Sequence, residues 1–178
     1  MSFPSIEERS GKEPEWYGMV VLSQLSSSKP PLIVHGNTAN IEVFLFGKSN
    51  CCQLIFEGYL YDQRQLAASI GIKNEFSSDG ELLAQAYLYY GKNLFEKLRG
   101  QFLLAIWDGV NDQLLVGHDA MGLHPLYYAH SKQGFLFSSN IFGIAYSELI
   151  PRKPNRLSLA LSLLIVHPPE AGQTHFEG

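Results

Sequence analysis

Apolar and polar positions along the chain fall into two rhythms, and their order sets the architecture. From the start to about residue 58 the apolar runs are short and β-rich: "WYGMVVLSQL", "PLIVHG", "IEVFLFG" and "CCQLIFEG", separated by Gly, Asn and Ser. The period then lengthens. "DQRQLAASI" places apolar residues at helical spacing behind Asp62, a natural N-cap. "SSDGELLAQAYLYYG" predicts a stronger helix, capped by Ser78 or Asp79, with Leu82, Leu83, Ala86 and Tyr90 on its apolar face and Gly91 at its end.

After "NLFEKLRG" the short runs return. "QFLLAIWD" and "QLLVGHD" flank the turn "GVN", and "PLYYAH" and "GFLFSS" flank "SKQG", so two hairpins are predicted. "NIFGIAYSEL" and "NRLSLALSLLIV" then read as helices opened by Asn140 and Asn155. Strands, helices, strands and helices in blocks suggest an α+β fold of antiparallel sheets covered by helices on their outer faces.

Composition narrows this picture. At 178 residues, with 46% hydrophobic and 17% charged positions, the chain suits one domain with a real core and is not of a disordered type. Residues 1–15 are polar and carry two prolines, so they read as a loose lead-in, and residues 16–178 as the folded unit. The net charge of −4 and the lack of any Lys/Arg cluster argue against nucleic acid. The longest apolar stretch, Leu157 to Val166, is half of what a membrane span needs, and the start lacks a signal core. Adjacent Cys51 and Cys52 are the sole cysteines, too few for a disulfide framework, and no N-x-[ST] acceptor occurs. A cytoplasmic, reducing location is the expectation.

Candidate chemistry is sparse. No P-loop, G-x-G-x-x-G, H-E-x-x-H or C-x-x-C is present. His118 and His124 lack a third ligand close in sequence, so no metal is expected, and His35 and His130 read as surface histidines at strand ends. Strand alternation would send the side chains of Cys51 and Cys52 to opposite faces. "FEGYLYDQRQL" leaves an apolar strand, makes a Gly turn at Gly58 and enters a helix, in the manner of catalytic turns, but with Glu57 beside the Gly. The tyrosine-rich runs "YLYDQ", "YLYY" and "PLYY" read first as packing and second as a ligand or partner surface.

The run "LRGQFLLAIWDGVNDQLLVGHDAMGLHPLYY" resembles "L-x-G-x-F-A-x-x-x-x-D … R-D-x-x-G-x-x-P-L-Y" of class II glutamine amidotransferase domains, as at the start of asparagine synthetase. Leu98, Gly100, Phe102, Ala105, Asp108, Asp119, Gly122, Pro125, Leu126 and Tyr127 carry it. "FEGYLYDQRQL" is similar to that family's "N-G-E-I-Y-N-x-x-x-L", "SSDGELL" to its "S-D-x-E-x-x", "GFLFSSNIFGI" to "x-x-x-A-S-E-x-K-A-L", and "HPPEAGQTHFEG" to its "P-P-G" hairpin. The resemblance implies a four-layer αββα sandwich of the N-terminal-nucleophile type. It also implies glutamine hydrolysis by an N-terminal Cys whose own amine is the base, an oxyanion held at "N-G", and an amino acid clamped by the Arg of "R-x-R-G-P" and the Asp of "S-D".

This chain departs from that pattern. Ser2 stands where the Cys is expected and is followed by Phe3 and Pro4; Glu57 replaces the oxyanion Asn before Gly58; no "R-x-R-G-P" occurs; and Asp79 alone is left of the clamp. The resemblance therefore implies a degenerate form, as in β-lactam synthetases and lasso-peptide cyclases, with Glu57, Gly58 and Asp79 as a vestigial glutamine pocket and no catalytic residue. The role implied is a scaffold for an ATP-dependent, amide-forming synthetase domain beyond Gly178, in cis or as a separate chain. ATP and Mg would belong to that domain, whose "S-G-G-x-D-S" loop is absent from this sequence. Two alternatives stay open: an amidohydrolase working through Ser2, and a stand-alone binding module. A homodimer also stays open.

Overall fold

The computed structural model describes residues 17–21, 32–35, 41–48, 51–72, 76–130, 132, 134–147, 149–151 and 153–164. Among them are β1 (Tyr17–Val21), β2 (Leu32–His35), β3 (Ile41–Phe46), β4 (Cys52–Leu60), β5 (Gly100–Asp108), β6 (Gln113–His118), β7 (Tyr127–His130) and β8 (Gly134–Ser138). The helices are α1 (Gln63–Ser69), α2 (Asp79–Tyr90), α3 (Ile141–Tyr146) and α4 (Arg156–Leu163), with a 3₁₀ stretch at Gly91–Lys97.

The strands form two antiparallel sheets, one in the order β3-β4-β5-β6 and the other β2-β1-β8-β7. Alternation of side chains decides what each face meets. On β4 and β5 the set Cys52, Leu54, Phe56, Phe102, Leu104 and Ile106 packs with Leu66 of α1 and Leu82, Leu83, Ala86 and Tyr87 of α2. The intervening set Ile55, Leu103, Ala105 and Trp107 packs with Leu32 and Phe137 of the other sheet. That second sheet turns Ala129 and Leu136 outward onto Ile144 of α3. Three apolar seams thus separate four layers, helix, sheet, sheet and helix, as the sequence predicts.

Both faces of β4 and β5 are buried, which is why "LIF" and "LLAIW" read as continuous apolar runs without alternation. Local chemistry starts α2 as expected. The Ser78 hydroxyl accepts from Glu81 N at 3.3 Å, while Glu81 Oε2 reaches back to Ser77 N at 2.8 Å, a capping-box arrangement. Gly91 ends the helix at φ +56°. Asn140 and Asn155 accept from Phe142 N and Ser158 N, opening α3 and α4. Asp62 precedes α1 but makes no side-chain cap bond, a correction to its predicted role.

Candidate functional site

Strand β4 does not stop at Gly58. It pairs with β5 without interruption from Cys52↔Asp108 to Leu60↔Gly100, so Gly58 lies inside a strand and not in a turn. Its φ is +118°, and a Cβ there would stand 2.1 Å from Gln101 O and 2.9 Å from Phe102 Cα. Glycine is required by close approach of the neighbouring strand together with positive φ. The predicted strand–turn–helix becomes a strand whose helix begins five residues later, at Gln63.

Glu57 pairs with Ile41 on one side and Leu103 on the other. It shares the parity of Ile55, so it projects from the face that meets the second sheet. Its side chain is 15% exposed, and Oε2 lies 3.5 Å from His124 Nε2. An ionised carboxylate only accepts hydrogen bonds, so this side chain offers no donor to a developing oxyanion.

His124 arrives there through a loop built on one residue. Buried Asp119 follows β6, and its carboxylate accepts from Met121 N, Leu123 N and His124 N at 3.1, 3.1 and 2.8 Å. Asp119 N donates to Phe102 O, tying the loop to β5, and Gly122 supplies a φ of +65°. Burial pushes the Asp119 carboxyl up, but the N–H groups of His124, Leu123 and Met121 outweigh it and hold the carboxyl below its usual value. The "D-x-x-G-x-x-P-L-Y" pattern is thus a loop-folding device, and what it delivers here is an imidazole facing Glu57. His118 Nδ1 lies 2.8 Å from Asp119 O, which fits the tautomer protonated at Nδ1. Among the described residues no group of three metal-ligating side chains occurs.

Asp79 is the first residue of α2, not its cap; Ser78 fills that role. One Asp79 oxygen accepts from Leu60 N at 3.3 Å and the other from Gln63 Nε2 at 2.6 Å. Its carboxylate therefore pins α2 to the end of β4 and the start of α1. Nearby, Glu42 of β3 accepts from Gly80 N at 2.8 Å. Burial first, and the Glu42 charge after it, raise the Asp79 carboxyl above its usual value against the Leu60 N–H and the Gln63 amide. A folded-state value above the unfolded one means stability falls as pH rises through that value. Asp79→Asn is accordingly expected to cost less than about 1 kcal/mol at neutral pH, or to stabilise slightly, because it removes the desolvated charge and keeps an acceptor. Urea unfolding at pH 7 checks this, and a loss of several kcal/mol would show that both accepting oxygens of the carboxylate are needed.

The structure thus places Glu57 and Gly58 on β4 and Asp79 at the head of the covering helix. Glu57 meets His124, whereas Asp79 meets Leu60 and Gln63. Ser2 lies outside the described residues. His124 and its organiser Asp119 are the site residues that sequence reasoning missed. The signal was present in the spacing of Asp119, Gly122 and Pro125, which was read as family identity and not as a loop.

Two further expectations change. Cys51 precedes β4, so strand alternation does not separate the cysteines: their Sγ atoms lie 3.8 Å apart. The tyrosine runs are largely surface, with Tyr59 52%, Tyr61 56%, Tyr89 65% and Tyr128 58% exposed, and only Tyr87 is buried. Tyr59 OH donates to Gln101 Oε1 at 3.1 Å, and the Tyr59 and Tyr61 rings lie 5.6 Å apart, forming an aromatic rim beyond Gly58. A separate open groove of about 270 Å³ runs between α1 and the 3₁₀ stretch, lined by Asp62, Ser69, Tyr90, Glu96, Lys97 and Arg99 among others. It includes none of Glu57, Gly58 and Asp79.

Residues 12–178 match the glutamine amidotransferase domain family. The chain is also similar to curated proteins. Asparagine synthetase [glutamine-hydrolyzing] 3 of Bacillus subtilis is 28% identical over 116 residues, covering 64% of this chain and 19% of that protein. Asparagine synthetase B [glutamine-hydrolyzing] of Escherichia coli is 26% identical over 131 residues, covering 70% of this chain and 23% of that protein. Amidase chry2 of Gibberella zeae is 30% identical over 89 residues, covering 49% and 13%. The matches thus cover between 13% and 23% of the length of these relatives.

Proposed function

The chain belongs to the glutamine amidotransferase domain family, and from that premise we propose that it is a member that no longer hydrolyses glutamine. Its role is structural, as a scaffold for an asparagine synthetase-like domain that forms amides at the expense of ATP. The observation that carries this reading is Glu57. A carboxylate occupies the position that the family resemblance gives to the oxyanion amide, on the inner face of the sheet, and it faces His124 at 3.5 Å. Loss of one oxyanion donor raises a barrier by about 2.7–4 kcal/mol, and a negative charge in its place adds repulsion. Asp79 has a structural role that accounts for its presence, since its oxygens accept from Leu60 N and Gln63 Nε2 and hold α2 to β4 and α1. No "R-x-R-G-P" segment for the clamp occurs in this sequence.

ATP and Mg belong in this proposal to the synthetase domain. The present sequence has no "S-G-G-x-D-S" loop, and its described residues supply no three-ligand cluster for the metal. The described residues do not fit either group. The amine for the parent reaction would come from the substrate of that reaction, which removes the need for ammonia from glutamine. A cytoplasmic setting fits such a partner; among the described residues no helix is long and apolar enough to cross a membrane.

The direct experiment incubates purified protein with glutamine and measures glutamate and ammonia. The expected result is release no faster than the buffer blank, for the natural chain and for Glu57→Asn alike. Turnover that disappears in Ser2→Ala, with Met1 absent by mass spectrometry, would establish the alternative of a working hydroxyl nucleophile.

A further inference from the structure

Both cysteines of the chain lie together at the start of β4. Cys51 Sγ and Cys52 Sγ are 3.8 Å apart, and both thiols are free. Trivalent arsenic is pyramidal, with an S–As–S angle somewhat above about 90°, so two sulfurs about 2.3 Å from it stand roughly 3.4 Å apart, and this pair lies a few tenths of an ångström from the bite of a two-sulfur chelate. A disulfide is the poorer outcome. Cα atoms of adjacent residues are about 3.8 Å apart, below the usual disulfide range of about 4.4–6.8 Å.

Gly47 and Asp108 flank the pair. Gly47 stands above it at φ +81°; a Cβ there would lie 3.3 Å from Cys52 Sγ and 3.5 Å from Cys51 Sγ. Any side chain at this position would press on Cys52 Sγ, so glycine keeps the two sulfurs uncovered on that side. Asp108 Oδ1 lies 3.8 Å from Cys52 Sγ and brings a carboxylate to the back of the site. Cys51 is half-buried and gives entry, whereas Cys52 is buried and needs only a small outward shift to complete the chelate.

We propose that Cys51 and Cys52 form a chelating site for thiophilic ligands that need only two sulfurs, with trivalent arsenicals as the defining class. The chemistry balances without oxidant or reductant. Two thiols and R–As(OH)₂ give R–As(S–)₂ and two waters; each new As–S bond replaces an As–O bond, and each thiol proton leaves with a hydroxide. The third bond of arsenic stays with its substituent, so no third protein ligand is required. Burial pushes the Cys52 thiol up to about 11, which accords with the second bond forming from a neutral thiol. The site lies at the end of β4 opposite Glu57 and does not depend on how glutamine is handled.

The test titrates the folded, reduced chain with phenylarsine oxide, counting free thiols with a chromogenic disulfide and weighing the intact protein. One equivalent is expected to remove both thiols and to add one phenylarsenic unit with loss of two thiol protons. The adduct should survive excess monothiol and be released by a small dithiol. Cys51→Ser, at the half-buried position, should weaken binding at least about 100-fold, since the second bond of a chelate is intramolecular; Cys52→Ala should do the same, with circular dichroism confirming that each variant folds. Two arsenicals per chain, release by monothiol alone, or unchanged affinity in folded Cys51→Ser would each overturn the proposal.

Discussion

Gly58→Ala is expected to destabilise the domain by about 2–6 kcal/mol and to lower its melting temperature by roughly 10 °C. Two independent costs add at this position. A φ of +118° is a conformation L-residues rarely adopt, which costs about 1–3 kcal/mol. The added Cβ would also stand 2.1 Å from Gln101 O, a backbone atom of the paired strand β5. That contact cannot be relieved by turning a side chain; β4 and β5 must separate, at a further cost of about 1–3 kcal/mol. Gly71 separates the two contributions. Its φ is +78° but a Cβ there meets nothing within 4 Å, so Gly71→Ala pays only the backbone term. Thermal and urea unfolding of both variants should place Gly58→Ala well below Gly71→Ala. Equal losses would show that the strand contact carries no weight.

Gly58 also marks where the sequence stopped being legible. Strands and helices could be read because local alternation, caps and Gly stops are properties of neighbouring residues. The two buried faces of β4 and β5 are visible as unbroken apolar runs. What made Gly58 necessary is Gln101, more than forty residues away, and no local pattern reports it. A Gly between a polar residue and a helix start is the ordinary signature of a turn, so the turn was inferred. The site was hidden for the same reason. Glu57 stood out from the family pattern, but its partner His124 depends on the Asp119 loop folding back toward β4. Asp79 was read as an N-cap because the Ser-Asp pair fits that role locally; only the third dimension gives its oxygens to Leu60 and Gln63. Strand alternation does not apply to the cysteines, because Cys51 lies one residue before β4 begins.

Asp108→Ala is the second large effect, expected at about 3–5 kcal/mol. This carboxylate is 5% exposed at the end of β5 and gathers the hairpin beyond it. It accepts from Val110 N at 2.9 Å, Asn111 N at 3.1 Å, Asn111 Nδ2 at 2.8 Å and Tyr87 OH at 2.8 Å. The turn donors find water when the carboxylate is removed. Tyr87 does not, because its ring is buried in α2 against the sheet, edge-on to Phe46 at 6.0 Å. Its hydroxyl would be left without a partner, so the truncation costs more than the bonds lost. Tyr87→Phe removes that donor at about 1–2 kcal/mol. The double variant should therefore lose less than the two single losses added together, and strict additivity would mean the pair is not coupled.

Acid separates the charge from the packing. Burial works against ionisation of Asp108, but Asn111, Tyr87 and the turn N–H groups outweigh it and hold the carboxyl below its usual value. A folded-state value below the unfolded one contributes stability that is complete above the unfolded value, about 3.9, and is lost as pH falls through the folded value. Asp108→Asn keeps the shape and gives up the charge. Its unfolding free energy should therefore start lower at pH 7 and decline less steeply below about pH 4 than that of the natural chain. Asp119, also held below its usual value, stays in both proteins and keeps part of the slope. If the two curves ran parallel from pH 7 to pH 2, the Asp108 carboxylate would be contributing through shape alone.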